Sequence, residues 1–254
     1  MRRDFNLKTY KQLLLTINDS GYSFQSVYDF VVNPLHKTVV LRHDSDIWPN
    51  NDLQMAVVEN NLGIISTYYF RIPATYNVTI IKKIKDLGHE IGYHYEDLAT
   101  YNGDYKLAIK SFSINLNKIK ELYDVKTVSM HGRPLSKWDS RDLWRKYKLS
   151  DFGIVAEPYL DIDYNKVLYL TENGNRWDGD RSNIRDNVKS TYNYKIRTTF
   201  DLIKCFQKNE LPDQIILNIH PARWNDNICI WTYRYLLQKF KNVAKQGLNY
   251  IRKY

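Results

Sequence analysis

Two carboxylates, Asp44 and Asp46, sit two residues apart in the stretch Leu41-Arg42-His43-Asp44-Ser45-Asp46. The apolar run Thr38-Val39-Val40-Leu41 precedes them and predicts a buried strand, and Trp48-Pro49-Asn50 turns the chain after them. In extended chain, residues two apart point to the same face, so both acids would present to one side. Like charges that close repel, and burying either is costly unless a cation or hydrogen bonds compensate. A divalent metal ion would resolve that conflict. Taken alone, the bare pair reads as a solvated acidic loop; the rest of the chain reverses that reading. Three histidines occupy the same relative position as the acids: His94 follows Glu90-Ile91-Gly92-Tyr93, His131 follows Thr127-Val128-Ser129-Met130, and His220 follows Gln214-Ile215-Ile216-Leu217-Asn218-Ile219. Four strand exits bearing Asp or His would converge on one mouth of an α/β fold, where such folds build their sites.

The elements that would position these residues are legible as an alternation. Helical spacing of apolar residues predicts helices over residues 7–19, 51–62, 78–87, about 104–123, 199–208 and about 230–251, with another carrying Leu143, Trp144 and Tyr147. The last is read with Tyr233, Leu237, Phe240, Val243 and Ile251 on its apolar face. Gly21, Gly63 and Gly88 stand in stop positions. Further strands are predicted at 64–70, 152–155 and 167–170, giving six or seven in all. Strand–helix repetition argues for a parallel sheet covered by helices. The expectation is a single domain over 1–254, a deformed parallel (β/α)7 barrel.

The chain has 254 residues and a net charge of +9, and its lysines are dispersed, with mild crowding only near Lys241–Lys245 and Arg252-Lys253. Attraction to an anionic sugar conjugate or lipid headgroup and a merely solvated basic surface are both open; a nucleic-acid reader should cluster its cations, so no nucleic acid is expected. Cys205 and Cys229 form no CxxC pair, which points away from a disulfide framework and toward a reducing compartment. The start, Met1-Arg2-Arg3-Asp4-Phe5-Asn6, leads into no apolar signal core, and no run is long enough to span a bilayer. Cytoplasmic location is the expectation.

Arg42-His43-Asp44-Ser45-Asp46, Gly88-His89-Glu90-Ile91-Gly92-Tyr93-His94 and Ile219-His220-Pro221 together resemble the polysaccharide deacetylases of carbohydrate esterase family 4, in a divergent branch with an Arg-His-Asp-x-Asp opening. The resemblance is strongest over residues 38–225. It implies a deformed (β/α)7 barrel and metal-assisted hydrolysis of an N-acyl group, N-acetyl in that family, on an amino sugar. It also implies roles: Asp44 as general base, Asp46 and His94 as metal ligands, and His220 as general acid. The family's second metal histidine falls at Leu98 here, in His94-Tyr95-Glu96-Asp97-Leu98, and an apolar side chain cannot ligate. By placement His131 is the best replacement, ahead of Glu96, Asp97 or water. In Met130-His131-Gly132-Arg133-Pro134, Arg133 matches the family arginine that orients the base, and Arg176-Trp177-Asp178 is a candidate for its Asp/Trp motif. Arg42 and Trp177 are read as substrate-binding; Trp177 and Trp224 suit either sugar stacking or ordinary packing.

The expected cofactor is a divalent metal, zinc first. The expected partner is an acylated amino-sugar glycan or a nucleotide- or lipid-linked sugar. Leu98 keeps a second class open, a non-catalytic carbohydrate- or protein-binding barrel; a third is a hydrolase of a non-sugar C–N amide bond.

Overall fold

The computed structural model describes residues 3–133, 135–177, 186 and 188–238. Seven strands, β1 (Ser23–Gln25), β2 (Thr38–Ser45), β3 (Thr67–Phe70), β4 (Glu90–Tyr95), β5 (Val128–Met130), β6 (Leu168–Thr171) and β7 (Gln214–Ile219), join one parallel sheet. The path runs β5-β4-β3-β2-β7-β6, with β1 attached to β2. One edge of β2 carries β7; the other is divided, β1 taking Thr38–Val40 and β3 taking Arg42–Ser45. A lone bridge between Thr127 and Ala156 prolongs the β5 edge. Among the described residues no strand pairing joins β5 to β6, so the cylinder is open there: a deformed (β/α)7 barrel in a single domain.

The helices α1 (Leu7–Asp19), α2 (Val27–Val32), α3 (Asn50–Asn60), α4 (Val78–Asp86), α5 (Asp97–Thr100), α6 (Tyr105–Lys120), α7 (Pro158–Asp161) and α8 (Thr199–Gln207) fill the connections. Their starts are chemically marked. Asn6, Ser26, Asn77 and Asp104 each accept a backbone N–H of the first turn, and Thr198 with Asp201 closes a full capping box. Gly63 and Gly88 follow α3 and α4 at φ of 69° and 89°, a conformation that costs a residue without Cβ nothing.

Alternation along the strands sorts side chains into two sets. Val39, Leu41, Ile215, Leu217 and Ile219 turn outward and pack with Tyr10, Leu13, Leu14 and Ile17 of α1 and Leu202, Ile203 and Phe206 of α8. Tyr68, Phe70, Ile91, Tyr93 and Tyr95 turn outward against Ile80, Ile81 and Ile84 of α4 and Phe112, Leu116 and Ile119 of α6. Each fully buried Leu, Ile or Phe contributes about 1.5–3 kcal/mol of burial, and these two clusters clamp the sheet. Inward, the floor is Val40, Tyr69 and Ile216 with Val27 and Phe30. Above that floor the inward positions are polar: Arg42, Asp44, His94, Asn218 and His220.

The structure departs from the periodicity reading at several places. β1 is only three residues long and was not foreseen. Phe152 ends a 3-10 turn (Leu149–Phe152), and the expected strand there reduces to the single bridge at Ala156. The segment around Leu143 is 3-10 (Ser140–Arg145) rather than α. Residues 228–238 are helical, but Tyr233 is 65 % exposed and Leu237 37 %; the inward face is Trp231, Arg234, Tyr235 and Gln238 instead. Phe240, Val243 and Ile251 lie outside the described residues. No helix among the described residues is long and apolar enough to cross a membrane.

Candidate functional site

Every strand from β2 to β7 hands a charged or titratable residue to the same end of the barrel: Asp46, Arg71, His94 with Glu96, His131, Glu172 and His220. The strand β2 runs on to Ser45, so Asp44 lies inside the ladder and Asp46 just past it. Both acids face the same histidine: His94 Nε2 is 3.7 Å from Asp44 Oδ2 and 3.7 Å from Asp46 Oδ1. These residues and His131, His220 and Arg133 line a cleft of about 1030 Å³.

Asp46, His94 and His131 each offer one ligand atom, all within 4.8 Å of one another. His131 Nε2 lies 3.4 Å from Asp46 Oδ1. Tetrahedral zinc with bonds of about 2.0–2.1 Å places neighbouring ligand atoms roughly 3.4 Å apart; the Asp46–His131 separation matches this, and the 3.7 Å from His94 to Asp46 is slightly wider. Both imidazoles are committed through the other nitrogen. His94 Nδ1 sits 2.9 Å from the Ser129 carbonyl, which can only accept, so Nδ1 carries the proton and Nε2 faces the acids with its lone pair. His131 Nδ1 lies 2.9 Å from Glu96 Oε2, and Glu96 is itself held by Arg71 Nη2 at 2.7 Å. This is the carboxylate–histidine support that metal-binding imidazoles use. Asp46 Oδ1 is buried and has no hydrogen-bond partner, an orphan that a cation would satisfy.

The electrostatics agree with ligation. Burial pushes His94 down to about 4, keeping it neutral near pH 7. Burial would raise Asp46, but His131, His220 and His94 outweigh it and hold the carboxyl low. Burial likewise opposes ionisation of Glu96, yet the bonds from His131 and Arg71 bring it to about 2. At Leu98 nothing can ligate: it is fully buried, turned from the cleft into the apolar cluster with Phe112 and Ile119. Glu96 supports His131, and Asp97 bonds Tyr93, Ser111 and Asn115, so neither stands as the third ligand.

The residue beside Asp44 is Arg42. Its Nε and Nη2 donate to Asp44 Oδ1 and Oδ2 at 2.9 and 2.8 Å, and Asn218 Nδ2 adds 3.0 Å to Oδ2. Burial raises the Asp44 pKa, and the Arg42, His94 and His220 charges more than reverse this, holding it far below the usual carboxylate range. Arg42 is fully buried, so it does not meet substrate as expected; it braces Asp44. Arg133 does not take that bracing position: it is 44 % exposed, donates to Thr100 Oγ1 at 3.2 Å and lies 3.7 Å from Glu96 on the cleft wall. Trp177 is also corrected. It is 1 % exposed, bonded to Thr199 Oγ1 and packed on Trp224, which is itself buried, so neither ring can stack on a sugar. Asp178 lies outside the described residues, as does Pro134.

His220 Nε2 lies 4.0 Å from Asp46 Oδ2, and its Nδ1 is 3.6 Å from Glu172 Oε1. Burial and Arg223 lower its pKa, but Glu172 and Asp46 win and the net shift is upward, which favours a proton-carrying imidazole. Glu172 is locked by Arg223 at 2.6 Å. His89 stays structural, between Ser66 and the Ala56 carbonyl.

Sequence reasoning missed Glu172, Asn218, the role of Glu96 as the support of His131 rather than a ligand, and the true role of Arg42. Glu172 follows Leu168–Thr171 directly, so the strand-exit rule applied to Glu as well as Asp and His would have found it. Asp186, which accepts from Tyr159, Tyr169 and Thr171 beneath Arg42, carried no such signal.

No family model matches the sequence, and no curated protein matches it. Solved structures with some likeness include a CE4 esterase from Streptococcus mutans (15 % identity, covering 91 % of both chains, TM-score 0.47). Another is the catalytic domain of a peptidoglycan N-acetylglucosamine deacetylase from Eubacterium rectale (14 %, 84 % of this chain and 87 % of that one, 0.45). A third is a family 4 carbohydrate esterase from Bacillus anthracis (12 %, 91 % and 85 %, 0.41).

Proposed function

We propose that the protein is a metal-dependent hydrolase that removes an N-acyl group from an amino sugar of a glycan or glycan precursor, a divergent member of the carbohydrate esterase family 4 deacetylases. The observation that carries this reading is the unpartnered, buried Asp46 Oδ1 facing two imidazole Nε2 atoms whose Nδ1 atoms are already engaged. Asp46, His94 and His131 would hold the ion, with zinc the first expectation. His131 supplies from β5 what Leu98 does not. A divalent ion held there would supply Lewis acidity toward the amide carbonyl and the attacking water.

The chain's own residues do the rest. Asp44, ionised and fixed by Arg42, accepts a proton as the water oxygen bonds to the carbonyl carbon. His220 gives its proton to the amine nitrogen, the C–N bond breaks, and the acyl group leaves as a carboxylate. Glu172, 3.6 Å from His220 Nδ1, favours the charged imidazole. Arg133 and the polar wall of the cleft suit sugar hydroxyls. A nucleotide- or lipid-linked sugar in the cytoplasm is the preferred substrate setting, with residues 1–254 acting as one domain.

The test is the metal content of freshly purified wild-type and Asp46→Ala protein, followed by hydrolysis of acylated amino sugars. Near-stoichiometric metal in the wild type, lost in Asp46→Ala and in His131→Ala, is expected. Hydrolysis should fall by at least about 10²-fold in Asp44→Asn, the lower end of what general-base catalysis contributes. Wild-type protein that holds no metal after reconstitution overturns the reading.

A further inference from the structure

The helical residues 228–238 pack inward through Trp231, Arg234 and Tyr235, yet their outward positions are apolar too. Ile230, Tyr233, Leu236 and Leu237 recur at i, i+3, i+6 and i+7, which is one helical stripe. All four are exposed, Ile230 at 40 % and Leu236 at 50 %. The stripe borders the site. Ile47 and Trp48 directly follow Asp46 and are also exposed. The Arg234 guanidinium lies 4.0 Å over the Trp48 ring and ties that loop to the helix. Trp48 and Leu237 line one crevice with Asp46 and His220. An apolar surface assembled from two segments marks a place of contact rather than scattered exposed residues.

Charge identifies the partner. From Asn227 to Tyr254 the sequence holds Arg234, Lys239, Lys241, Lys245, Arg252 and Lys253, and no Asp or Glu. We infer that this basic, apolar face docks on an anionic membrane surface, so that the chain lies on the bilayer beside its cleft. Trp and Tyr rings and aliphatic side chains suit the boundary between headgroups and acyl chains, while Lys and Arg reach the lipid phosphates. A second copy of the chain fits worse, because a two-fold contact sets a patch against itself and brings six cations toward six. Nucleic acid would answer the cations and leave Ile230 and Leu236 without apolar cover. The inference goes beyond the hydrolase reading and does not require it. Where both hold, they select a lipid-linked sugar over a nucleotide-linked one.

The experiment sediments the full chain with vesicles of phosphatidylcholine, with or without phosphatidylglycerol. Binding to the anionic vesicles should exceed binding to the neutral ones by at least about tenfold and weaken as salt is added. Tyr233→Gln with Leu236→Gln, which keeps helix propensity, should weaken it by about tenfold. Lys239→Gln with Lys241→Gln and Lys245→Gln should weaken it by about 10²-fold, roughly fivefold per cation. Both proteins should hydrolyse a water-soluble acylated amino sugar as wild type does, and lose only the wild type's faster turnover of a lipid-anchored one in anionic vesicles. No binding to anionic vesicles, equal binding to neutral ones, or binding indifferent to both sets of substitutions overturns the inference. A wild-type dimer in sedimentation velocity that the Tyr233 and Leu236 substitutions break also overturns it, giving the face to a second copy. If neither sugar is hydrolysed the hydrolase reading falls, and the vesicle result alone decides the membrane inference.

Discussion

Arg42 acts on Asp44 in two opposing ways. Its charge lowers the basicity of the carboxylate, and its bidentate grip, Nε and Nη2 at 2.9 and 2.8 Å, fixes where that carboxylate points. In a site built by positioning, the second effect should dominate the rate, because a misplacement of about 1 Å can cost roughly 10²-fold. The guanidinium is in turn located by the Tyr159 hydroxyl at 3.1 Å, itself donating to Asp186 at 2.7 Å. Lysine keeps the charge but has no planar fork. Arg42→Lys is therefore expected to lower kcat by about 10²-fold with KM and metal content within twofold of wild type. Steady-state kinetics with elemental analysis of the same preparations reads this out. A rise in KM with kcat intact would instead mean that Arg42 binds substrate.

At the scale of elements, the site depends on how closely β3, β4 and β5 approach inside the barrel. Gly92 is the inward residue of β4 below His94, and the Tyr69 ring occupies the space its side chain would need. A Cβ there would lie 2.4 Å from the Tyr69 ring and 2.8 Å from the Thr127 carbonyl. The Tyr69 hydroxyl is also tied to Thr127 Oγ1 at 2.7 Å, so the ring cannot swing away cheaply. Gly92→Ala should destabilise the fold by about 1–3 kcal/mol, the usual cost of overpacking, and loosen His94 two residues on. Thermal unfolding and metal affinity measured on one sample check both; an unchanged melting temperature would refute the packing argument. This approach is invisible in a sequence, where Gly92 reads as one more strand residue. The strand exits themselves were legible, because an apolar run ending in His or Asp is a local pattern. Asp44, Asp46, His94, His131 and His220 could be placed at one end of the barrel for that reason. Arg42 was misread because its partner lies on the same strand face and only burial distinguishes a brace from a contact. Trp177 was misread similarly, since an aromatic residue looks the same in sequence whether it faces a cleft or the Trp224 ring. The last helix had apolar residues on two faces, and periodicity could not choose between Tyr233 with Leu237 and Trp231 with Tyr235.

Across the whole molecule, the barrel buries ionisable groups at several levels, and each must be answered by a partner. Glu90 is answered by Thr67, Thr127 and the Tyr28 N–H, and Asp44 by Arg42. Outside the sheet, burial would raise Glu59, but His43 at 2.7 Å and the groups around it bring it down to about 2. Glu157 is answered incompletely. It is fully buried, accepts the Met130 N–H at 2.9 Å through Oε1, and leaves Oε2 without a hydrogen bond. Burial pushes its pKa up to about 7 despite that N–H and the charges of Arg42 and Arg141. In the unfolded chain the same carboxyl titrates near its ordinary value of 4.5. The folded state therefore holds the proton more tightly, and its advantage is complete below pH 4.5 and lost as pH rises toward 7. The shift corresponds to a loss on the order of 3 kcal/mol across that window. Glutamine keeps an acceptor for Met130 and has nothing to ionise. Glu157→Gln should match wild type near pH 4.5 and exceed it by a margin that grows to roughly 3 kcal/mol at pH 7 and above. Paired urea unfolding curves at intervals across that range isolate this group, because every other titration is common to both proteins. A stability difference that stays flat with pH would show that Glu157 is ionised in the folded barrel, with Arg42 divided between two carboxylates rather than committed to Asp44.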